Sequence, residues 1–383
     1  MRISRRGRVD PFIVMDVMEA ARAREAAGRD VIHMEVGQPG TPAPRRAIEA
    51  ATAAMRAAPL GYTVALGLPE LRARIARRYA ERHGVSVDPS RVAVTMGASG
   101  AFILAFCALF DAGDRVALAD PGYPAYRNIL RALDVVPVGL PADAATRFQP
   151  DPHLLADAGR AGPIAGVLAA SPANPTGTML DAEAMAALIG ECSRISAAFV
   201  SDEIYHGLEY AGRAVSALEI SDDVVVINSF SKYYSMTGWR VGWMVVPPAL
   251  VETIERLAQN LFICPPHVAQ VAALAAMDAD EELEANVAVY RANRELLLNA
   301  LPEAGFTRFA PCDGAFYLYA DVSDMTDDSV AFCRRMLDEA GVAATPGVDF
   351  DPARGQTAVR FSFAGPTVAM AEAARRLKVW TRG

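Results

Sequence analysis

Short runs of valine, isoleucine and alanine recur through the middle of the chain, each set against a helical pattern, and that order limits the possible folds more than any other feature. "RVAVTMG" (91–97) leads into "AFILAFCALF" (101–110), and "RVALAD" (115–120) into a helix over 124–133. "GPIAGVLAAS" (162–171) precedes "DAEAMAALIGECSRI" (181–195), and "AAFVSDEI" (197–204) and "VVVINSF" (224–230) follow. None of these runs alternates apolar with polar residues. Each strand is therefore expected to be covered on both faces, as in a mostly parallel sheet sandwiched by helices. Repeated strand–helix units give the α/β class.

The flanks read differently. In "PELRARIARRYAERHG" (69–84), Leu71, Ile75 and Tyr79 recur every four residues, with Pro69 to start a helix and Gly84 to stop it. After residue 280 a long helical pattern (281–301) leads to the strand "GAFYLYADV" (314–322). A helix over 328–340, the strand "TAVRFSFA" (357–364) and a last helix follow, an ending that suits a smaller α+β domain. No Gly/Ser linker marks a boundary.

With 383 residues, 52% hydrophobic and 21% charged, the chain can build two domains around a sizeable core. A net charge of -8 argues against nucleic acid as a partner. The apolar runs are too short to cross a bilayer, so no membrane partner is expected. The start, "MRISRRGRVD", lacks the apolar core of a secretory signal and reads as a solvated arm, with a transit peptide as the alternative. The cysteines (Cys107, Cys192, Cys264, Cys312, Cys333) contain no CxxC pair, which fits reduced thiols in a cytoplasm and no metal site.

The chemistry gathers at strand ends. Lys232 follows the most apolar strand by a few residues, where α/β sheets bind their ligands. A lysine held in partly dry surroundings loses proton affinity and can attack a carbonyl. Ser229, Ser231 and Arg240 around it suit an anion, most naturally a phosphate. "TMGASGAF" (95–102) is a strand, a small-residue turn and a helix start, whose free N–H groups also favour an anion; a plain tight turn would explain it too. No GxGxxG or GxxxxGK[ST] occurs, so dinucleotide and Walker-type sites are excluded. "SPANPTGT" (171–178) and "SDEIY" (201–205) end two further strands and bring Asn174 and Asp202 to the same edge.

Taken together these motifs resemble the fold-type I pyridoxal-phosphate enzymes, specifically the class I/II, aspartate aminotransferase-like family. The matching stretches are "VGQP" (36–39), "GYTVALGLPELR" (61–72), "TMGASGA", "DPGYPAY" (120–126), "NPTGT", "SDEIY", "SFSKYYSMTGWRVGW" (229–243) and "RFSFA" (360–364), in family order over most of the chain. The resemblance implies a large cofactor domain over 46–286 and a small domain built from 1–45 and 287–383. It implies that Lys232 holds pyridoxal 5'-phosphate as a Schiff base and moves the substrate's α-proton. Asp202 would pair with the pyridine nitrogen, Tyr205 and Asn174 would bond the ring oxygen, and Tyr123 would stack on the ring. Ser229, Ser231, Arg240 and the N–H groups around Ala98 and Ser99 would hold the phosphate. Arg360 would clamp the substrate carboxylate, with Gly37 letting backbone approach it and Asn174 beside it. Tyr62 would reach the phosphate of a neighbouring subunit, making the working unit a homodimer with shared active sites.

The implied reaction moves an amino group between an L-amino acid and a 2-oxo acid by a ping-pong mechanism. In one similar subgroup that prefers aspartate, a lysine sits where Ser99 stands here, so a neutral substrate (alanine, aromatic or branched) is expected. The alternatives are an aspartate-preferring aminotransferase, a lyase or decarboxylase on the same fold, or a ligand-sensing module. The last would need a DNA-binding segment that the residues before "HMEVGQP" do not resemble.

Overall fold

The apolar runs become the centre of a seven-stranded sheet. The computed structural model describes residues 2–382. Its strands in chain order are β1 (Ile32–His33), β2 (Val92–Thr95), β3 (Arg115–Asp120), β4 (Val136–Pro141), β5 (Gly166–Ala170), β6 (Ala198–Asp202) and β7 (Val225–Ser229). They continue with β8 (Gly242–Val245), β9 (Arg308–Phe309), β10 (Tyr317–Asp321), β11 (Val342–Ala343), β12 (Thr345–Pro346) and β13 (Ala358–Ser362). The large sheet has the order β2-β8-β7-β6-β5-β3-β4. It is parallel from β7 to β4, and β8 runs antiparallel to both β7 and β2. Every residue of β2, β7 and β8 is buried, which is why those runs show no alternation.

β4, "VPVGLP", is not among the runs read as strands above. It is an edge strand, mostly facing solvent, with a proline at its second and last positions. Prolines are tolerated there because an edge strand leaves backbone groups unpaired anyway. The helix Pro69–His83 has the expected bounds, buries Leu71, Ile75 and Tyr79, and ends on Gly84 in the left-handed region (φ 68°). The helix expected from residue 101 begins at Gly97, so the small-residue turn is its first turn.

The two ends of the chain meet in a smaller α+β unit. β1 pairs in parallel with β11, and β12-β13-β10-β9 form an antiparallel sheet. The long helix Asp280–Ala300 and the last helix Thr367–Trp380 pack together over it. Residues 2–11, which include the described part of the stretch read as an arm, are exposed, and Ile13–Ala26 is a helix folded back on the body, with Val14 and Ala21 buried. Among the described residues, no helix is long and apolar enough to cross a membrane.

Candidate active site

Because β3, β5, β6 and β7 are parallel, the segments that follow them emerge along one edge of the sheet. A cavity of about 220 Å³ opens there. Of the site residues named from the sequence, Gly37, Ala98, Ser99, Tyr123, Asn174, Asp202, Tyr205, Ser231, Lys232, Arg240 and Arg360 all line it. Ser229 and Tyr62 do not.

Lys232 stands three residues beyond the end of β7. Its Nζ donates to the Gly37 carbonyl at 2.6 Å and faces the rings of Tyr205 and Phe316 at 5.7 and 5.9 Å. Burial, helped by the positive charges of Arg360 and Arg240, brings its pKa down to about 8 against the opposing pull of Asp202. A usable fraction of neutral amine therefore exists near neutral pH. Gly37 has to be glycine for this arrangement: a Cβ there would lie 1.8 Å from the Tyr317 hydroxyl.

Asp202 is the last residue of β6 and is 2% exposed. One carboxylate oxygen accepts from Ile204 N at 3.0 Å and the other from the Tyr126 hydroxyl. Burial raises its pKa to about 6, and those two donors and Lys232 keep it from rising further. Tyr205 shares a hydrogen bond with Tyr317, hydroxyl to hydroxyl, at 2.8 Å. Tyr123 meets Tyr126 edge to face at 5.2 Å.

The other end of the cavity is built for an anion. The helix Gly97–Leu109 starts without a side-chain cap and without an acidic residue in its first turn, so its leading N–H groups have no local acceptor. Gly97 has φ +69°, and a Cβ there would lie 2.5 Å from Arg240 Nη2. The missing side chain is what lets the guanidinium approach the helix start. Arg240 is itself left-handed (φ 53°) and is braced by Nη1 donating to the Thr237 carbonyl at 2.8 Å. Ser231 faces the cavity. Ser229 stands one layer behind it: its hydroxyl lies 2.9 Å from Ser231 Oγ and 3.1 Å from the Val241 carbonyl and accepts from Ser231 N. Its contact is with the loop, not with the cavity.

Arg360, on β13, is 3% exposed. Nη1 donates to Asn174 Oδ1 at 2.9 Å, and Nη2 donates to the Glu35 carbonyl and to Thr345 Oγ1. The Tyr317 and Phe350 rings lie 4.4 and 4.7 Å from the guanidinium carbon, and Nε has no partner. Tyr62 is 82% exposed, outside the cavity of its own chain.

Sequence reasoning passed over several lining residues. Tyr126 lies within "DPGYPAY", three residues past Tyr123, in the first turn of the helix Pro124–Ala132, so its position was readable although its bond to Asp202 was not. Tyr317 is hidden in an apolar strand. Phe12, Val14 and Met15 come from the segment just after the stretch read as solvated arm.

An amine that loses its proton readily, a buried carboxylate and an anion seat at a bare helix start thus face one cavity, with a second guanidinium opposite. This donor set fits a phosphate-bearing aldehyde with a basic ring nitrogen plus a carboxylate substrate. The family model for aminotransferase class I and II matches residues 29–377. The chain is 50% identical to the valine–pyruvate aminotransferase of Mycobacterium tuberculosis, over 99% of this chain and 98% of that one. Among solved structures it resembles an aminotransferase from Mycobacterium tuberculosis (TM-score 0.97, 50% identity, 100% and 99% coverage). It also resembles aspartate aminotransferase from Thermus thermophilus with maleate (TM-score 0.92, 30% identity, 99% and 100% coverage). With sequence, fold and cavity in agreement over almost its whole length, the chain belongs to the class I and II aminotransferases, enzymes that work with pyridoxal 5'-phosphate.

Proposed function

We propose that this aminotransferase takes a neutral L-amino acid, with branched valine foremost, and passes its amino group to a 2-oxo acid such as pyruvate. One observation carries the substrate class. The cavity lining holds three cations, Lys232, Arg240 and Arg360, and each has a role without a distal carboxylate. Phe12, Val14, Met15 and Ile204 supply apolar wall instead. The name of the Mycobacterium tuberculosis relative supports the same choice.

In this reading Lys232 Nζ would hold the cofactor covalently and, once released from it by the incoming amino group, would be the base positioned to take the proton from the substrate's α-carbon and return it. The cofactor, once bound, supplies an electron sink for the charge left on that carbon. Asp202 would keep a proton at the ring nitrogen, and Tyr126 holds Asp202 in place. Tyr205 and Asn174 would bond the ring oxygen, and Tyr123 would cover a ring face. Ala98 N–H, Ser99 N–H, Ser231 and Arg240 would hold the phosphate, with Ser229 bracing Ser231. Arg360 receives the substrate carboxylate, and its two nitrogens fix position and angle together. Gly37 gives backbone access to that carboxylate.

The division into a large domain over 46–286 and a small one from 1–45 and 287–383 is supported by the pairing of β1 with β11. A homodimer is supported by exposed apolar residues: Met55, Tyr62, Val64, Leu261 and Ile263. Loop 61–64 and segment 261–267 form one surface, tied by Thr63 N to Cys264 Sγ (3.4 Å) and His267 Nδ1 to the Gly61 carbonyl (3.0 Å). In a dimer Tyr62 would complete the phosphate seat of the partner. Free cysteines, most of them buried, suit a cytoplasmic enzyme.

The test is visible absorbance of the cofactor-loaded protein during titration with amino acids. Valine and alanine are expected to shift the band at lower concentration than aspartate. An equal or stronger response to aspartate would overturn the neutral preference.

A further inference from the structure

The wall made by Phe12, Val14 and Met15 is held by a residue from the opposite end of the chain. Asp349 closes the short turn Gly347–Asp349 and is 2% exposed. Its carboxylate accepts from Ile13 N at 3.1 Å and from Val14 N at 3.3 Å. These are the first two N–H groups of the helix Ile13–Ala26, and that helix's own N-cap residue, Phe12, offers no side-chain acceptor. The carboxylate that caps the helix is thus 336 residues away in sequence. An acidic group suits this end of a helix, because it meets both the unpaired N–H groups and the positive end of the dipole.

The same turn touches two other walls of the cavity. The Phe350 carbonyl accepts from Gly122 N at 3.0 Å, next to Tyr123, and Arg127 donates to the Asp349 and Phe350 carbonyls. The Phe350 ring lies under the Arg360 guanidinium at 4.7 Å. Phe12, at the head of the capped helix, meets Tyr123 edge to face at 5.7 Å. Upstream of Phe12, among the described residues, the chain is tied by exposed groups: Asp10 to Arg131, the Asp10 carbonyl to Asn128, and Arg6 to Asp134 at 3.8 Å. Exposed ion pairs of that kind hold a segment weakly. The buried carboxylate is the firm attachment at the point where the chain enters the cavity.

We propose that Asp349 is a positioning residue for substrate selection. It fixes Phe12, Val14 and Met15 against the cavity so that they receive the substrate's apolar side chain while Arg360 receives its carboxylate. This rests on the aminotransferase reading above and deepens it. Larger apolar substrates depend on that wall more than alanine does, because they bury more surface against it.

The test compares wild-type holoenzyme with Asp349→Ala and Asp349→Asn. Loss of an N-cap acceptor should speed amide hydrogen exchange over residues 13–17 by about fivefold in Asp349→Ala. Asp349→Asn, which keeps one acceptor oxygen, should fall between. The cofactor's visible band and its affinity should stay as in wild type. The KM for valine and leucine should rise by about fivefold or more, and that for alanine distinctly less. Unchanged exchange at 13–17 would overturn the proposal. So would an equal rise in KM for alanine and leucine, which would mean a general disturbance of Arg360. If wild type transferred no amino group from any neutral amino acid, the functional reading would fall. Side-chain selection would fall with it, while the exchange data would still decide whether Asp349 holds the helix.

Discussion

Asp202 and Lys232 titrate on either side of neutrality, and that gives cofactor capture a definite pH dependence. In the cofactor-free protein Asp202 titrates near 6 and Lys232 near 8. As pH falls through 8 the amine becomes protonated and loses its nucleophilicity. Through 6 the carboxylate gains a proton and stops offering charge to the ring nitrogen. Affinity for pyridoxal phosphate should therefore fall with decreasing pH across both values. Tyr126→Phe isolates the second effect, since it removes a hydroxyl that donates to Asp202. The Asp202 carboxyl then rises, and the acid fall in affinity moves to higher pH. The variant should bind the cofactor about tenfold more weakly at pH 7. Titration of the cofactor-free protein by absorbance from pH 5 to 8 checks this, and coincident curves for the two proteins would refute it. Asp202→Ala should be more severe, because a buried charged pair broken on one side costs about 3–5 kcal/mol.

At the scale of elements, the start of the helix Gly97–Leu109 and the end of β6 each carry a prediction. In Gly97→Ala the new Cβ meets the flexible end of Arg240, so the guanidinium is displaced and the fold survives. The left-handed φ adds strain of about 1 kcal/mol. Phosphate affinity should drop about tenfold, read as a weaker dissociation constant for pyridoxal phosphate with the thermal midpoint of the cofactor-free protein lowered only slightly. Behind β6, Glu203 is fully buried, accepting from Ser201, Ser216 and Ala217 N. Burial raises its pKa to about 8. His206 beside it is driven down to about 3, chiefly by burial, with Nε2 donating to the Ser171 carbonyl. A carboxyl raised on folding binds more protons in the native state than in the unfolded one. Its contribution to stability is therefore whole below the ordinary carboxylate range and is lost as pH rises toward 8. Melting curves from pH 6 to 9 should show wild type losing stability and Glu203→Gln losing less; parallel slopes would argue against a protonated Glu203.

Element by element, what the sequence revealed was what local chemistry determines. Lys232, Asp202 and Asn174 were legible because each follows an apolar strand by a few residues, and a parallel sheet sends those ends to one edge. The helix at 13–26 was not, because its cap is the distant Asp349 and its own N-cap residue, Phe12, has no side-chain acceptor. β4 was missed because two prolines and an exposed edge remove the usual strand signal. Spacing brought Ser229 to the loop, and the fold turns its hydroxyl toward Ser231 and Val241.

For the whole molecule the open question is whether one chain completes its own site. Tyr62 is 82% exposed on a surface with Val64, Leu261 and Ile263, all more than half or half exposed, and it lies outside the cavity of its own chain. If it serves the partner subunit of the proposed homodimer, two inactive or impaired variants should complement each other. Lys232→Ala should show no transfer at all. Tyr62→Ala should bind cofactor about tenfold or more weakly, for loss of one hydrogen bond to a charged group. In a hybrid dimer, the site with a lysine receives its tyrosine from the Lys232→Ala subunit, so that site is wild type in every residue. Random exchange at equal amounts gives about half hybrids with one such site each, so about a quarter of all sites regain wild-type cofactor affinity. If Tyr62 acted only within its own chain, the hybrid's lysine-bearing site would lack it and the mixture would bind no better than Tyr62→Ala alone. Activity at limiting cofactor concentration, measured after mixing and subunit exchange, separates the two outcomes.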